Sequence, residues 1–106
     1  MKSSLKPATK AEKRRFEIIK REIGCLPCKM LGHGHVMANA HHLLSGGRRI
    51  SHSHTIPLCD VHHTGDEGIH TRKRDFREWF GTDEELLAKT NRLVVEFENN
   101  VVGGAG

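Results

Sequence analysis

The sequence offers little material for a hydrophobic core, because its 106 residues include no tyrosine, one tryptophan and four phenylalanines. A single domain of this length buries only a modest apolar core, so its margin of stability is thin. Small folds in that position usually rely on disulfides or on a structural metal. The sequence therefore predicts a stabilising cross-link of one of these two kinds.

Long apolar runs are also missing. The opening residues, MKSSLKPATKAEKRRF, have no apolar stretch behind their charges, and no later run is long enough to span a membrane. We expect a protein of the cytoplasm (the host-cell cytoplasm if phage-encoded), with no membrane partner and no small-molecule substrate. Cysteines stay reduced there, and the odd number of cysteines, three, suits a disulfide framework poorly.

Positive charge is concentrated at the amino-terminal end. The formal net charge is +4, yet residues 1–21 carry eight lysines and arginines against two glutamates, a surplus of +6 that leaves −2 for the rest. This distribution is typical of proteins that bind polyanions, although a solvated helix face produces the same pattern. The candidate phosphate contacts in this segment are Lys10, Lys13, Arg14, Arg15, Lys20 and Arg21.

Hydrophobic periodicity predicts the order helix, cysteine knuckle, β-hairpin, helix, helix. A capping box at Thr9 and Glu12 opens a helix that reaches about residue 22, and Gly24 ends it as a left-handed cap. Two extended runs, residues 36–44 and 50–58, flank a glycine-containing turn and predict a hairpin. At its tip Arg48 and Arg49 either face solvent or contact phosphate.

The second half of the chain is predicted to be helical. A short helix follows at residues 59–63, another at 72–80, and a third begins after the capping box at Thr82. The three aromatic residues Phe76, Trp79 and Phe80 are interpreted as core. We expect residues 1–8 to form a flexible basic tail, residues 9–98 one domain, and residues 99–106 a disordered tail.

Three cysteines and one histidine form two pairs at the spacing that zinc prefers. Two residues separate Cys25 from Cys28, and two separate Cys59 from His62. Such a gap lets both side chains of a pair reach one ion from a tight turn. Three thiolates and one imidazole fill a tetrahedron, so we predict a structural Zn²⁺ with no open position. The alternatives are free buried cysteines beside an exposed histidine, or redox chemistry at the CxxC.

Histidine is the compositional anomaly: nine are present, and eight of them lie within residues 33–63. In a strand, the neighbours His41 and His42 point to opposite sides, so one can bind a metal while the other approaches a substrate beside it. His63 is held next to a ligand of the structural zinc. The histidines interpreted as surface bystanders are His33, His35 and His52.

These motifs resemble the HNH endonucleases, whose core is a β-hairpin and one helix around a single ion. More narrowly, the segments AHH at 40–42, PLCDVHH at 57–63 and GIH at 68–70, with the run at 76–87, are similar to the Ref family of phage-encoded, RecA-dependent recombination-enhancement nucleases. The resemblance implies an α+β fold, namely a small zinc-stabilised ββα-metal core with flanking amino- and carboxy-terminal helices. It also implies DNA as the substrate and a RecA filament as a partner.

The resemblance further implies a role for individual histidines. His41, His63 and His70 would bind a catalytic divalent cation (Mg²⁺, Mn²⁺ or Zn²⁺). His42 would be the general base that activates water. The mid-hairpin asparagine of HNH enzymes falls near His54, a departure from the family pattern, and this histidine would orient the base.

The charges of the two ligand sets support a structural role for the cysteine site and a catalytic role for the histidine site. Three neutral imidazoles leave a bound cation its full double charge, which is needed to neutralise a phosphodiester transition state, whereas three thiolates cancel that charge. A histidine base titrates near neutrality and needs little adjustment of its pKa. The competing hypothesis is a non-catalytic zinc-finger module that binds nucleic acid or protein and uses its other histidines only for packing.

Overall fold

The computed structural model describes residues 6–45, 48–66 and 68–105. They form a small α+β fold, as predicted. In chain order the elements are α1 (Lys10–Glu17), a π-helical segment (Ile18–Ile23), α2 (Leu26–Met30), β1 (Asn39–His42), β2 (Leu44–Ser45), β3 (Arg48–Arg49), β4 (Thr55–Leu58), α3 (Asp60–His63), α4 (Lys73–Phe80) and α5 (Asp83–Ala105). Within these ranges no helix is both long and apolar enough to cross a membrane.

The amino-terminal helix begins at the predicted capping box. Thr9 Oγ1 accepts a hydrogen bond from the Glu12 backbone N–H at 3.1 Å, and the Glu12 carboxylate accepts one from the Thr9 N–H at 2.8 Å. From Ile18 onward the helix widens into the π-helical segment, a change that periodicity did not predict. Gly24 ends it at φ +74°, and a Cβ there would lie 2.7 Å from the carbonyl oxygen of Val36. Both the conformation and the contact require glycine.

The predicted hairpin is present, with shorter strands than expected. β1 pairs antiparallel with β4, His42 opposite Thr55, and β2 pairs with β3 in the same way. Residues 36–38 are not in a strand because their backbone serves other segments: Val36 accepts from the Cys25 N–H at 2.8 Å, and the Ala38 N–H donates to Lys20 at 3.1 Å. The turn residues Gly46 and Gly47 lie outside the described residues.

One hydrophobic cluster joins the hairpin to the helices on either side of it. Its buried members are Ile18, Ile19, Ile23, Leu26, Leu43, Ile56, Leu58, Ile69, Phe76, Phe80, Leu86 and Val94. Phe76 and Phe80 are buried as predicted, but the assignment of Trp79 to the core is wrong, because this side chain is 48% exposed. On α4 it lies about 100° from Phe80, and the Arg72 guanidinium covers its ring at 5.9 Å.

Arg15 links the first helix to the hairpin and to the last helix. Its guanidinium donates to Thr55 Oγ1 at 2.9 Å, to the Thr55 carbonyl at 2.7 Å and to Asn91 Oδ1 at 2.8 Å. Thr55 is fully buried, so if Arg15 were removed, no water could replace the charged donor at the Thr55 carbonyl. The donors of Arg15 are therefore engaged within the protein.

We expect Arg15→Ala to lower the free energy of unfolding by about 2–3 kcal/mol, since it removes charge-assisted hydrogen bonds to a buried group. Urea denaturation followed by circular dichroism measures the change. Arg14→Ala is the matched control: Arg14 forms an exposed ion pair with Glu98 at 3.4 Å, worth about 0–1 kcal/mol. Equal losses in the two variants would contradict the structural role of Arg15.

Candidate metal centres and catalytic histidines

The predicted zinc ligands come together in the structure. The ligating atoms of Cys25, Cys28, Cys59 and His62 all lie within 4.8 Å of one another. His62 Nδ1 is 3.6, 3.5 and 3.3 Å from the sulfurs of Cys25, Cys28 and Cys59 in turn, and the last two sulfurs are 3.7 Å apart. Tetrahedral zinc, with Zn–S near 2.3 Å and Zn–N near 2.0 Å, separates its ligand atoms by about 3.5–3.8 Å. The cluster fits such an ion.

Local structure brings these four side chains to one point. Cys25 follows the glycine cap of the π-helical segment, and Cys28 lies in α2, one turn further along. Cys59 is the N-cap residue of α3, so His62 follows it by one turn on the same face. The cluster is sealed, because Cys25 and His62 are 0% and 3% exposed. All four positions of a tetrahedron are occupied by protein, which suits a structural metal rather than a catalytic one.

Electrostatics explain why this cluster needs a cation. Burial raises the pKa of the Cys25 thiol, and burial together with hydrogen bonds that the Cys28 thiol donates to the other two cysteines raises the pKa of Cys28 to about 12. Burial acts in the same direction on Cys59, but hydrogen bonding, led by the backbone N–H of His62, outweighs it and lowers the pKa. Three thiolates in a buried space repel one another. A divalent ion such as zinc would supply the charge that allows all three to form.

A second cluster consists of His41, His63 and His70. Their ligating nitrogens lie within 4.8 Å of one another, and the Nε2 atoms of His63 and His70 are 3.2 Å apart. His41 is buried on β1, His63 is half-buried at the end of α3, and His70 is exposed in the following loop. Unlike the cysteine cluster, this group is accessible from one side. Three protein ligands with an open side are typical of catalytic metal sites.

The loop that carries His70 folds back onto α3. The backbone N–H groups of Ile69 and His70 donate to the carbonyls of His62 and His63 at 3.0 and 3.2 Å. Gly68 permits this approach, because a Cβ at that position would lie 2.6 Å from the carbonyl oxygen of His63. The local backbone therefore fixes the distance between the two solvent-facing imidazoles.

Two of the three imidazoles, those of His41 and His63, are held in the form that binds metals. Burial, followed by the proximity of His63 and His70, lowers the pKa of His41 to about 4. Burial and the adjacent His70 lower the pKa of His63. Both rings are therefore neutral at pH 7, with lone pairs available to a shared cation. Neutral nitrogen ligands leave the charge of that cation undiminished.

His42 lies next to the second cluster and has a separate set of contacts. Its Nε2 is 3.0 Å from His52 Nδ1, and His52 Nε2 is 2.6 Å from the carbonyl oxygen of Lys6. The ring of Phe16 packs edge-on against both imidazoles, with centroid distances of 5.8 Å. Burial, Arg49 and His52, in that order, lower the pKa of His42, so this ring is also neutral at pH 7.

The hydrogen bonds assign the tautomers of this pair. A carbonyl oxygen only accepts, so His52 must carry its proton on Nε2. When that proton is the one proton on the His52 ring, its Nδ1 is an acceptor, and His42 donates to it from Nε2. This leaves the lone pair of His42 on Nδ1, free to accept a proton.

His52 is the residue that sequence reasoning missed. It was interpreted as a bystander, and His54 was expected beside His42. The structure brings His52 to His42, whereas His54 Nδ1 lies 2.6 Å from Ser51 Oγ. In a strand through residues 50–58 the two histidines would share a face, so alternation could not separate them. Residues 50–54 instead form a turn, and only its shape decides which ring reaches His42.

The predicted phosphate contacts divide into three groups. Arg14 and Arg21 form exposed ion pairs with glutamates, and Arg15 is bound inside the protein as described above. Within the described ranges, the exposed side chains without such a role are Lys10, Lys13, Arg48 and Arg49, and Lys20 is half-buried. Arg49 lies close enough to the histidines to lower the pKa of both His41 and His42. His33 and His35 are exposed, as predicted.

Comparison with known proteins agrees with these features. A family model described as recombination enhancement, RecA-dependent nuclease matches residues 8–95, which include both metal-binding clusters and the whole hairpin. Comparisons with curated proteins and with solved structures found no match. The match confirms the resemblance inferred from the sequence motifs. Because it covers most of the chain, the protein belongs to the family of RecA-dependent recombination-enhancement nucleases.

Proposed function

We propose that the chain is a metal-dependent DNA endonuclease of the HNH type, with the hairpin and α3 as its ββα-metal core. The observation that carries this proposal is the convergence of His41, His63 and His70, separate from the sealed cysteine cluster, with His42 next to His41 on β1. The first three side chains would hold a divalent cation, Mg²⁺, Mn²⁺ or Zn²⁺. Imidazole ligands by themselves favour zinc over magnesium, which would need water and phosphate oxygens to complete its shell.

The cation would neutralise charge on the phosphodiester in the transition state and stabilise the leaving oxygen. His42 is the general base: its neutral Nδ1 takes a proton from the attacking water. His52 holds that tautomer by accepting from His42 Nε2 and donating to the Lys6 carbonyl. The cationic side chain of Arg49, close to both His41 and His42, suits contact with a substrate phosphate.

The substrate class follows from the family and from the site. The family description joins a nuclease to RecA and to recombination, so we propose DNA presented by a RecA filament as substrate, and phage-associated recombination as the setting. No base-reading motif was found in the sequence, so the contacts are expected to be mainly to the DNA backbone, with little sequence preference.

Cleavage of supercoiled plasmid tests the proposed function. The zinc-loaded protein should nick plasmid DNA when Mg²⁺, Mn²⁺, Zn²⁺ or Ni²⁺ is added, with RecA and ATP present or absent. Cleavage must disappear in His63→Ala while the cysteine-bound zinc remains. If no condition yields cleavage by the wild-type protein, the sealed cysteine cluster favours the alternative of a non-catalytic zinc module.

The role proposed for His52 predicts a specific pair of results. His52→Ala should lower kcat by about 10- to 100-fold, the range typical of groups that orient metal-site histidines, with KM nearly unchanged. His52→Asn should restore part of kcat, because its amide oxygen can accept from His42. His54→Ala is the comparison and should change kcat much less. A larger loss of kcat in His54→Ala than in His52→Ala would show that His54, and not His52, orients the base.

A further inference from the structure

A cavity extends from the histidine cluster to α4. Its volume is about 300 Å³, and its lining includes His41 and His70 at one end and the side chains of Lys73 and Arg77 from α4. This size is at the lower end of the range for ligand sites in proteins. The cavity therefore joins the candidate metal ligands to two cations for which the sequence motifs predict no role.

The packing of α4 sets the direction of these two cations. Phe76 and Phe80 are buried, which fixes the rotation of the helix against the core. Lys73 and Arg77 are one turn apart, so their side chains are neighbours on the helix surface. Both are exposed, and both reach the cavity. The packing of α4 against the core thus places two positive charges at the edge of the cavity.

No described residue pairs with either cation as a partner of opposite charge. In the described parts of the chain neither Lys73 nor Arg77 forms an ion pair, whereas Arg72 on the same helical turn is paired with Asp75 at 3.7 Å. Like charges one helical turn apart repel each other and slightly destabilise a helix. An anion bound between them would remove that repulsion. Of the described residues that line the cavity, Asp83 is the one with an acidic side chain, so positive charge prevails there.

We propose that Lys73 and Arg77 form a phosphate-binding site for the nucleic-acid strand, next to the phosphate held at the histidine cluster. The inference rests on the proposed function and extends it from the cleavage centre to the path of the strand. Arg77 offers two parallel N–H donors to phosphate oxygens, and Lys73 adds a point charge. The strand would run from the imidazoles along α4, and its neighbouring phosphates would occupy the cavity.

Oligonucleotide binding over a series of salt concentrations tests this site. Lys73→Gln and Arg77→Gln in the zinc-loaded protein should each raise Kd several-fold for a short fluorescein-labelled single strand. Each should also lower the slope of log Kd against log salt concentration by about 0.7, the value for one lost phosphate contact on a single strand. Arg74→Gln is the matched control, because it removes the same charge from the same helix outside the cavity lining. In cleavage assays KM should rise more than kcat falls.

The outcomes separate this inference from the nuclease proposal. If Arg74→Gln lowers the salt slope as much as the other two variants, the change comes from general surface charge, and the proposed phosphate site is wrong. The same conclusion follows if wild-type protein cuts DNA but the slopes of the Lys73 and Arg77 variants are unchanged. If those variants lose slope as expected and the wild type cuts no DNA with any metal, the phosphate site stands and the nuclease proposal fails. Circular dichroism and zinc content verify that each variant is folded.

Discussion

Cys28→Ser is expected to unfold the protein. Binding of a structural zinc by such ligands contributes on the order of 10 kcal/mol, and small domains are stable by only about 5–15 kcal/mol in total. The core here is small, and the four ligands join α2, the end of the hairpin and α3. Far-UV circular dichroism should report loss of most helical signal, and elemental analysis should report loss of the tightly bound zinc.

His33→Ala is the control for this experiment, because His33 is exposed and lies close in sequence to the cysteine knuckle. It should keep both the fold and the zinc. A Cys28→Ser protein that retains its helical signal and its midpoint of thermal unfolding would contradict the structural role of the cluster. Treatment of the wild-type protein with a strong chelator should also unfold it.

His42→Ala is expected to lower kcat by about 10²- to 10⁴-fold, the usual contribution of a general base. The fold, the DNA affinity and both metal ions should persist, since His42 belongs to neither ligand cluster. Single-turnover cleavage of a labelled DNA strand measures the loss, and metal content and oligonucleotide binding are measured on the same preparation. The comparison variant is His35→Ala, which should cut DNA at the wild-type rate because His35 is exposed.

A His42→Ala protein with near wild-type cleavage would remove His42 from the mechanism. A protein that loses metal or fails to fold would instead assign His42 a structural role, since it packs against Phe16 and His52. Because the two results differ in metal content and in circular dichroism, the experiment distinguishes a lost base from a lost scaffold.

The two candidate metal-binding clusters share one short element. His62 and His63 are consecutive residues of α3, and each contributes to a different cluster. A helix of four residues has no stability of its own, because nucleation is unfavourable and propagation too brief. A structural ion in the cysteine cluster would therefore position His63 for the second cluster. Loss of the cysteine site is expected to abolish cleavage as well as folding.

What the sequence could predict was largely local in the chain. The paired spacings of Cys25 with Cys28 and of Cys59 with His62 require only a tight turn and one turn of helix, so the sequence could predict that these four side chains form a cluster able to hold a metal ion. The capping box at Thr9 is also local, and it was confirmed. Recognition of the family motifs brought together His41 and His63, which are distant in the chain.

What the sequence could not predict depends on tertiary structure. The contact between His42 and His52 depends on a turn whose shape no periodicity encodes. Trp79 has the residue type of a core position but faces outward, because burial of Phe76 and Phe80 decides the rotation of α4. The cavity beside Lys73 appears only when α4 is placed against the histidine cluster.

Metal counting by native mass spectrometry on folded protein tests the two-ion arrangement most directly. Wild-type protein titrated with zinc should bind one ion tightly and a second more weakly. His63→Ala should retain the tight ion and lose the weaker one. Saturation of the wild-type protein with a single ion, or a His63→Ala variant that still binds two, would contradict the account.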